Sequence, residues 1–282
     1  MSVILDGKAL AGNIIEKLKN DTQGLSKKPK LAVVLVGDNP ASQIYVRNKQ
    51  KKAQYIGFES VLNALPANTA EENILEHICI LNEDPDINAI LVQLPLPEGI
   101  NQKRIIEAID PVKDVDGFTS YNFGRLALGC NPYVFPCTPK GIIRLLEEYN
   151  IEPEGKTAVV IGRSNIAGKP VSLLLQRKNA TVIMANSYTK NLKELSKIAD
   201  IVISAIGKPD FITADYIKQG AVVVDVGINR TNSGLRGDVD FVNTAPKTSF
   251  ITPVPGGVGP MTIAMLMENT HELYKLQRSL IM

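Results

Sequence analysis

Leu-Ala-Val-Val-Leu-Val at positions 31–36 is apolar at every residue and stops at Gly37. A strand with one face in water alternates apolar and polar residues. A strand with no polar position is buried on both faces, which is the habit of parallel sheets covered by helices. Similar runs recur at Ala89–Leu94, Thr157–Ile161, Asp200–Ala205 and Ala221–Asp225, with weaker strands at Val61–Leu65 and Thr181–Met184. Helical periodicity follows from Pro40, at Asn73–Leu81 and at Val171–Arg177. Such alternation implies parallel strands with crossover helices, and ligands in such sheets sit beyond the carboxyl ends of the strands. The fold class expected is α/β and two-lobed: an N-terminal α/β domain plus a doubly wound, Rossmann-like nucleotide-binding domain, with a cleft between them.

A length of 282 residues exceeds one small domain and fits two lobes. The first is expected over residues 1–137, with the C-terminal helix 261–282 packing back on it, and the second over 138–260. The stretch Thr138-Pro139-Lys-Gly-Ile-Ile-Arg-Leu-Leu-Glu-Glu has Thr138 as an N-cap and Pro139 at the first helical position. With the helix after Pro260 it reads as a pair joining the lobes.

Several classes are disfavoured by composition. A net charge of +2 gives no support to a nucleic-acid surface. Three cysteines (Cys79, Cys130, Cys137) cannot all pair and lack metal-ligand spacing, as expected for a reducing cytoplasm. Asp6 and Lys8 come too early for a signal sequence, and no run of about 18 apolar residues exists to span a membrane. His77 and His271 have no companions at ligand spacing, so neither a metal centre nor a Ser-His-Asp triad is expected.

Four stretches carry chemistry. Pro255-Gly-Gly-Val-Gly-Pro260 precedes a helical pattern, and its glycines allow a backbone to press against a ligand. After the strand 157–161 comes Gly162-Arg163-Ser164-Asn-Ile-Ala-Gly168. This is not the usual G-x-G-x-x-G, yet it can turn sharply and bring N–H groups and Arg163 to a phosphate. NAD-selective sites place an acid about 20 residues on. Here Val182–Lys193 contains no Asp or Glu, and Asn186-Ser187-Tyr188-Thr189-Lys190 favours the 2′-phosphate of NADP. On the helix from Pro40, Tyr45 and Lys49 are four apart and share a face. The same spacing occurs in short-chain dehydrogenases, but there the nucleotide loop precedes the pair, and here it follows by more than a hundred residues. Gln93 ends an apolar strand, where a buried amide needs partners. Asp114 and Asp116 share an acidic turn closed by Gly117, and a carboxylate can grip an amino-pyrimidinone ring through two parallel hydrogen bonds. Cys137 reads as packing.

Six blocks in order resemble the bifunctional methylenetetrahydrofolate dehydrogenase/cyclohydrolase family of folate one-carbon metabolism. They are Gly37–Lys49, Leu91–Pro97, Lys113–Phe118, Pro136–Pro139, Gly162–Pro170 and Pro255–Thr262. The resemblance implies NADP-dependent oxidation of 5,10-methylenetetrahydrofolate and hydrolysis of the methenyl product to 10-formyltetrahydrofolate, a donor for purine biosynthesis. It further implies that Tyr45 stacks on the folate, Lys49 is the catalytic lysine, Gln93 assists it and Asp116 holds the pterin. Gly257, Val258, Gly259 and Pro260 would line the substrate site; Gly162, Arg163, Ser164, Ser187 and Ile228 match cofactor-contacting positions. A homodimer is the family precedent. Where relatives often read Cys-His-Ser after the second nucleotide strand, this chain has Ala185-Asn186-Ser187. With the chain ending at Met282, the ligase region fused in some relatives is not expected. The rival readings are a shikimate-type dehydrogenase and a non-catalytic nucleotide-binding regulator.

Overall fold

The computed structural model describes residues 2–232 and 234–281. Met1, Ser233 and Met282 lie outside the described residues, and with them the outermost residues of the expected first domain. In chain order the elements are β1 (Val3–Ile4), α1 (Gly7–Thr22), β2 (Lys30–Val36), α2 (Pro40–Tyr55), β3 (Glu59–Leu65), α3 (Glu71–Glu83) and β4 (Ala89–Val92). Then come α4 (Gln102–Glu107), α5 (Ser120–Ala127), α6 (Cys137–Glu148), β5 (Thr157–Ile161), α7 (Gly168–Arg177), β6 (Thr181–Ala185), α8 (Leu192–Lys197) and β7 (Ile201–Ser204). The last are β8 (Val222–Asp225), β9 (Asn229–Thr231), β10 (Gly234–Arg236), α9 (Phe241–Thr244), β11 (Phe250–Ile251) and α10 (Val258–Ile281). Two compact units result: residues 13–137 with 266–282, and residues 1–12 with 138–265.

The first unit is built on a parallel sheet in the order β3-β2-β4. Its centre is β2, whose residues Leu31–Val36 are all buried, as a run without polar positions requires. Ile74, Ile78 and Leu81 of α3 pack against Val34, Ile90 and Val92, the four- and three-residue steps of one helix face. Beyond β4 the chain returns as a short fourth rung: Ile90 N donates to the Lys113 carbonyl at 2.7 Å and Asp114 bridges to Ile90. Lys113 anchors that rung. Its buried ammonium donates to the carbonyls of Leu81, Asn82 and Asp84 at 3.1, 2.7 and 2.7 Å, closing the C-terminal end of α3. In the last stretch of α10, Gln277 Nε2 donates to the carbonyls of Asn88 and Val112 and ties the same region down.

The second unit holds a six-stranded, wholly parallel sheet in the order β1-β11-β8-β7-β5-β6. From β5 the chain passes to β6 on one side and then to β7 on the other. That reversal puts the switch point, where ligands bind in such sheets, at the ends of β5 and β7. The core includes Val159, Ile161, Val202, Val223, Ile212, Ile217 and Ile251.

Several details depart from the sequence reading. Residues 1–12 group with the second unit, because Val3 and Ile4 pair with Phe250 and Ile251 at its sheet edge. β1, β11 and the β9–β10 hairpin, of two or three residues each, are too short to show a period. The helix expected at Pro139 begins at Cys137, and the hydroxyl of Thr138 pairs with that of Thr262 at 3.0 Å. The helix expected after Pro260 already begins at Val258.

Candidate active site

In the first unit α2 starts cleanly. Asn39 Oδ1 accepts from the N–H groups of Ala41 and Ser42 at 2.9 and 3.2 Å, and Pro40 occupies a position where an N–H is not needed. Three turns on, Lys49 Nζ donates to Gln93 Oε1 at 2.9 Å. The orientation of that amide is set by its other end, because Gln93 Nε2 donates to the Leu94 carbonyl at 2.7 Å. Gln93 is buried just past β4, its own N–H still in the ladder to the Val34 carbonyl at 2.8 Å. Asp116 comes two residues after the rung beside β4. Gln93 and Asp116 therefore both lie beyond strand carboxyl ends, on adjacent rungs.

Burial pulls the Lys49 amine below its ordinary value; the Asp116 carboxylate opposes that, and Cys137 does so more weakly. Asp116 is pushed up by burial, with Lys49 and a thiol bond from Cys137 acting the other way and Asp114 adding to the rise. Burial alone is enough to lower the lysine, before any substrate charge is added.

The two aspartates of the acidic turn have different work. Asp114 is buried, and its Oδ2 accepts from Thr119 N at 2.8 Å and Asn122 Nδ2 at 3.0 Å. It is used up in shaping the turn. Gly117 takes φ +68°, and a Cβ there would stand 3.0 Å from the Val134 carbonyl. Cys137 does more than pack: its thiol donates to the Val115 carbonyl at 3.5 Å, accepts from Asn269 Nδ2 at 3.4 Å and lies close enough to Asp116 to counter the rise of its pKa. Tyr45, one turn before Lys49 on the same helix, is half-buried with no hydrogen bond on its hydroxyl among the described residues.

In the second unit a pocket of about 320 Å³ opens at the switch point. Gly162, Arg163, Ser164 and Ser187 line it, as does Asn186, while Ile228 does not. The two glycines of the turn are required by packing. A Cβ on Gly162 would stand 2.3 Å from the Ala205 carbonyl, and one on Gly168 would stand 2.2 Å from the Gly162 carbonyl. The helix start after them is not the anion hole that the sequence implied. Gly168 N reaches Ser164 Oγ at 3.5 Å, Lys169 N donates to the Ser164 carbonyl at 3.0 Å, Pro170 has no N–H, and Val171 N donates to the Ala167 carbonyl. The first turn of α7 thus has few N–H groups to offer an anion, and the pocket's cations are side chains. Arg163 lies 5.7 Å from the Tyr188 ring and has no ion-pair partner among the described residues. Lys208 also lines the pocket, and the lining contains no carboxylate. Ala205, Ile206, Lys208 and Phe211 were missed from sequence, although the rule that ligands sit after strand ends points to the loop following β7.

The loop before α10 is also partly internal. A Cβ on Gly257 would fall 2.6 Å from the Pro253 carbonyl, and one on Gly7 would meet the Gly257 carbonyl at 2.0 Å; Lys8 N donates to the Gly256 carbonyl at 2.8 Å. Val258 is buried. Gly259 is different: an added Cβ would meet only Ile228 Cδ1, at an ordinary 3.5 Å. Pro260 is half-buried in the first turn of α10.

Among the described residues no three His, Cys, Asp or Glu side chains gather as a metal site, and no helix is long and apolar enough to cross a membrane.

Known proteins share this arrangement along nearly the whole chain. The sequence is 54% identical over 282 residues to the Bifunctional protein FolD of Thermodesulfovibrio yellowstonii, covering 99% of this chain and 98% of that one. The crystal structure of the bifunctional enzyme FolD, methylenetetrahydrofolate dehydrogenase/cyclohydrolase, from Campylobacter jejuni superposes with a TM-score of 0.96 at 47% identity, covering 98% and 99% of the two chains. The Trypanosoma brucei dehydrogenase-cyclohydrolase, solved with NADP cofactor and inhibitor, follows at a TM-score of 0.93 and 37% identity, with 99% and 98% covered. Residues 5–116 match the family description "Tetrahydrofolate dehydrogenase/cyclohydrolase, catalytic domain" and residues 136–278 match its NAD(P)-binding domain. With the lysine–glutamine–aspartate cluster in the first matched stretch and the switch-point pocket in the second, this chain belongs to the tetrahydrofolate dehydrogenase/cyclohydrolase family.

Proposed function

We propose that the protein oxidises 5,10-methylenetetrahydrofolate to 5,10-methenyltetrahydrofolate with NADP and hydrolyses the product to 10-formyltetrahydrofolate. The observation that carries this reading is Lys49: a half-buried lysine whose pKa is depressed by desolvation, with its amine 2.9 Å from Gln93 Oε1 and under the influence of the Asp116 charge. A neutral lysine carries two N–H bonds and a lone pair. One N–H donated to Gln93 Oε1 fixes the amine and leaves the lone pair for a proton.

NADP, when bound, accepts the hydride that leaves the carbon bridging N5 and N10. The pocket fits such a polyanion through Arg163 and Lys208 and the absence of any acid from its lining. The lack of an acid after β6 also favours NADP over NAD, with Arg163 and Ser187 meeting the 2′-phosphate. Asn186 here builds the turn: its N–H donates to Thr189 Oγ1 and its Oδ1 accepts from Tyr188 N, both at 3.0 Å. The assignments of Ile228, and of Gly257, Val258, Gly259 and Pro260 to the substrate, rest on the resemblance of their sequence alone.

In hydrolysis, water adds to the methenyl carbon and Lys49 takes a proton from it. As the bond from that carbon to N5 opens, the hydroxyl proton leaves, N5 gains one, and one proton is released overall. Gln93 holds the base, Asp116 grips the pterin through its amino-pyrimidinone edge, and Tyr45 offers its ring face. Lys49→Ala in a folded protein is expected to abolish hydrolysis of methenyltetrahydrofolate, a loss on the order of 10²-fold or more; retained hydrolysis would remove Lys49 from the mechanism.

A homodimer through β3 is the assembly we favour. Among the described residues β3 pairs only with β2, Val61 and Leu62 are exposed, and Ser60 Oγ and Asn63 Nδ2 have no hydrogen-bond partner. A reducing cytoplasm suits the free thiols of Cys79, Cys130 and Cys137.

A further inference from the structure

Asp238 has no place in the chemistry above, yet it is the most heavily bonded side chain near the cofactor pocket. It is fully buried. Its Oδ2 accepts from Ile206 N at 2.8 Å, Gly207 N at 3.2 Å and Ser204 Oγ at 3.2 Å; its Oδ1 accepts from Lys208 N at 2.9 Å and Asn229 Nδ2 at 3.0 Å. Three consecutive backbone N–H groups converging on an anion form a nest of the kind that elsewhere holds phosphate. Here the chain's own carboxylate fills it. No cation pairs with Asp238 among the described residues, so the five donors alone compensate its burial.

The position of that carboxylate is itself fixed. Asp225, at the end of β8, accepts from the N–H groups of Gly227 and Asp238 through Oδ1, both at 2.9 Å, and from Val239 N through Oδ2 at 2.8 Å. There is no room for slack. A Cβ on Gly237 would stand 1.9 Å from Asp225 Oδ2, and one on Gly227 would stand 2.2 Å from Asp238 Oδ1. Asp225 thus clamps the backbone of residues 238–239, and Asp238 clamps residues 206–208. Two of those three, Ile206 and Lys208, line the pocket.

We propose that Asp238 is a positioning residue for the cofactor: by filling the nest of residues 206–208 it shapes the loop after β7 and directs the NADP phosphates away from that nest towards Arg163 and Lys208. The inference rests on the NADP reading of the pocket. An asparagine at 238 would turn an N–H₂ towards N–H donors, so even the isosteric change opposes the loop conformation.

The test measures NADP affinity by titration and NADP KM for wild type, Asp238→Asn and Asp238→Ala, with thermal melts and methenyltetrahydrofolate hydrolysis, which consumes no nicotinamide, as controls for folding. Asp238→Asn is expected to raise the NADP KM about tenfold or more, as loss of charge-assisted bonds implies, with kcat changed less and hydrolysis retained. Formate or acetate, small carboxylates able to enter the emptied nest, should restore part of the affinity of Asp238→Ala and none of that of Asp238→Asn. A folded Asp238→Asn protein that binds NADP as wild type does would overturn the proposal. So would an equal loss of hydrolysis and NADP use, which marks a general structural role. If wild type itself bound no NADP, the cofactor reading would fall first.

Discussion

Lys49 and Asp116 each feel the other's charge, with burial acting against both. The sign for Lys49 follows from its direction. A lysine whose folded pKa lies below its unfolded value costs the fold most below the folded pKa; stability rises as pH climbs from the lowered pKa, and the cost is gone only above the ordinary lysine value. Lys49→Met, which removes the cost and keeps the aliphatic stem, is therefore expected to raise stability near neutral pH by about 1 kcal/mol while hydrolysis is lost; denaturant melts of the two proteins check it. Asp116 raises the Lys49 pKa by its charge, so Asp116→Asn should move the rising, acid-side limb of the hydrolysis rate to lower pH and raise the folate KM. A limb that stays in place would show that another group titrates. Lys49 and Gln93 were legible from sequence because a polar residue at the end of an all-apolar strand, and a Tyr/Lys pair on one helix face, are both conspicuous. Asp225 and Asp238 were not, since a buried carboxylate satisfied by backbone N–H groups looks in sequence like ordinary turn punctuation. Burial pushes Asp225 up to about 6 in spite of its three N–H donors, a property invisible without the fold.

At the scale of elements, the long strands and their order were readable because β2, β4, β5, β7 and β8 carry continuous apolar runs. β1 and β11, at two residues each, carry none, and they alone extend the larger sheet at that edge. The glycines divide into two groups that sequence treats alike. Gly162→Ala would set a Cβ 2.3 Å from a carbonyl oxygen at φ +123°, a cost of about 2 kcal/mol or more with a loss of NADP affinity. Gly259→Ala meets nothing closer than 3.5 Å and is expected to leave stability within about 0.5 kcal/mol. A raised folate KM in that stable variant would establish that Gly259 faces substrate; an unchanged KM would leave Gly259 a helix-start residue only. The start of α7 teaches the same lesson in reverse. Its sequence promised free N–H groups, and Ser164 and Pro170 remove them.

The two proposed chemistries fall on separate stretches of chain: Lys49, the proposed base, lies in residues 13–137 and Arg163, the proposed anion contact, in residues 138–265. Variants should separate in the same way. Arg163→Ala is expected to raise the NADP KM about tenfold, the value of one charge-assisted contact, while methenyltetrahydrofolate hydrolysis is kept. Exposed apolar residues on the unpaired edge of β3 make a further claim at this scale. Val61→Lys should shift the protein from dimer to monomer in sedimentation, with a monomeric wild type contradicting the assembly.

The central claim is that one chain oxidises methylenetetrahydrofolate with NADP and then opens the product with a neutral lysine. Its most direct test is to give the purified protein 5,10-methylenetetrahydrofolate with NADP or NAD in parallel and to follow reduced nicotinamide and 10-formyltetrahydrofolate together. The account predicts NADPH and the formyl product from the same sample, with NAD a much poorer acceptor. Absence of both products with either nucleotide would contradict it.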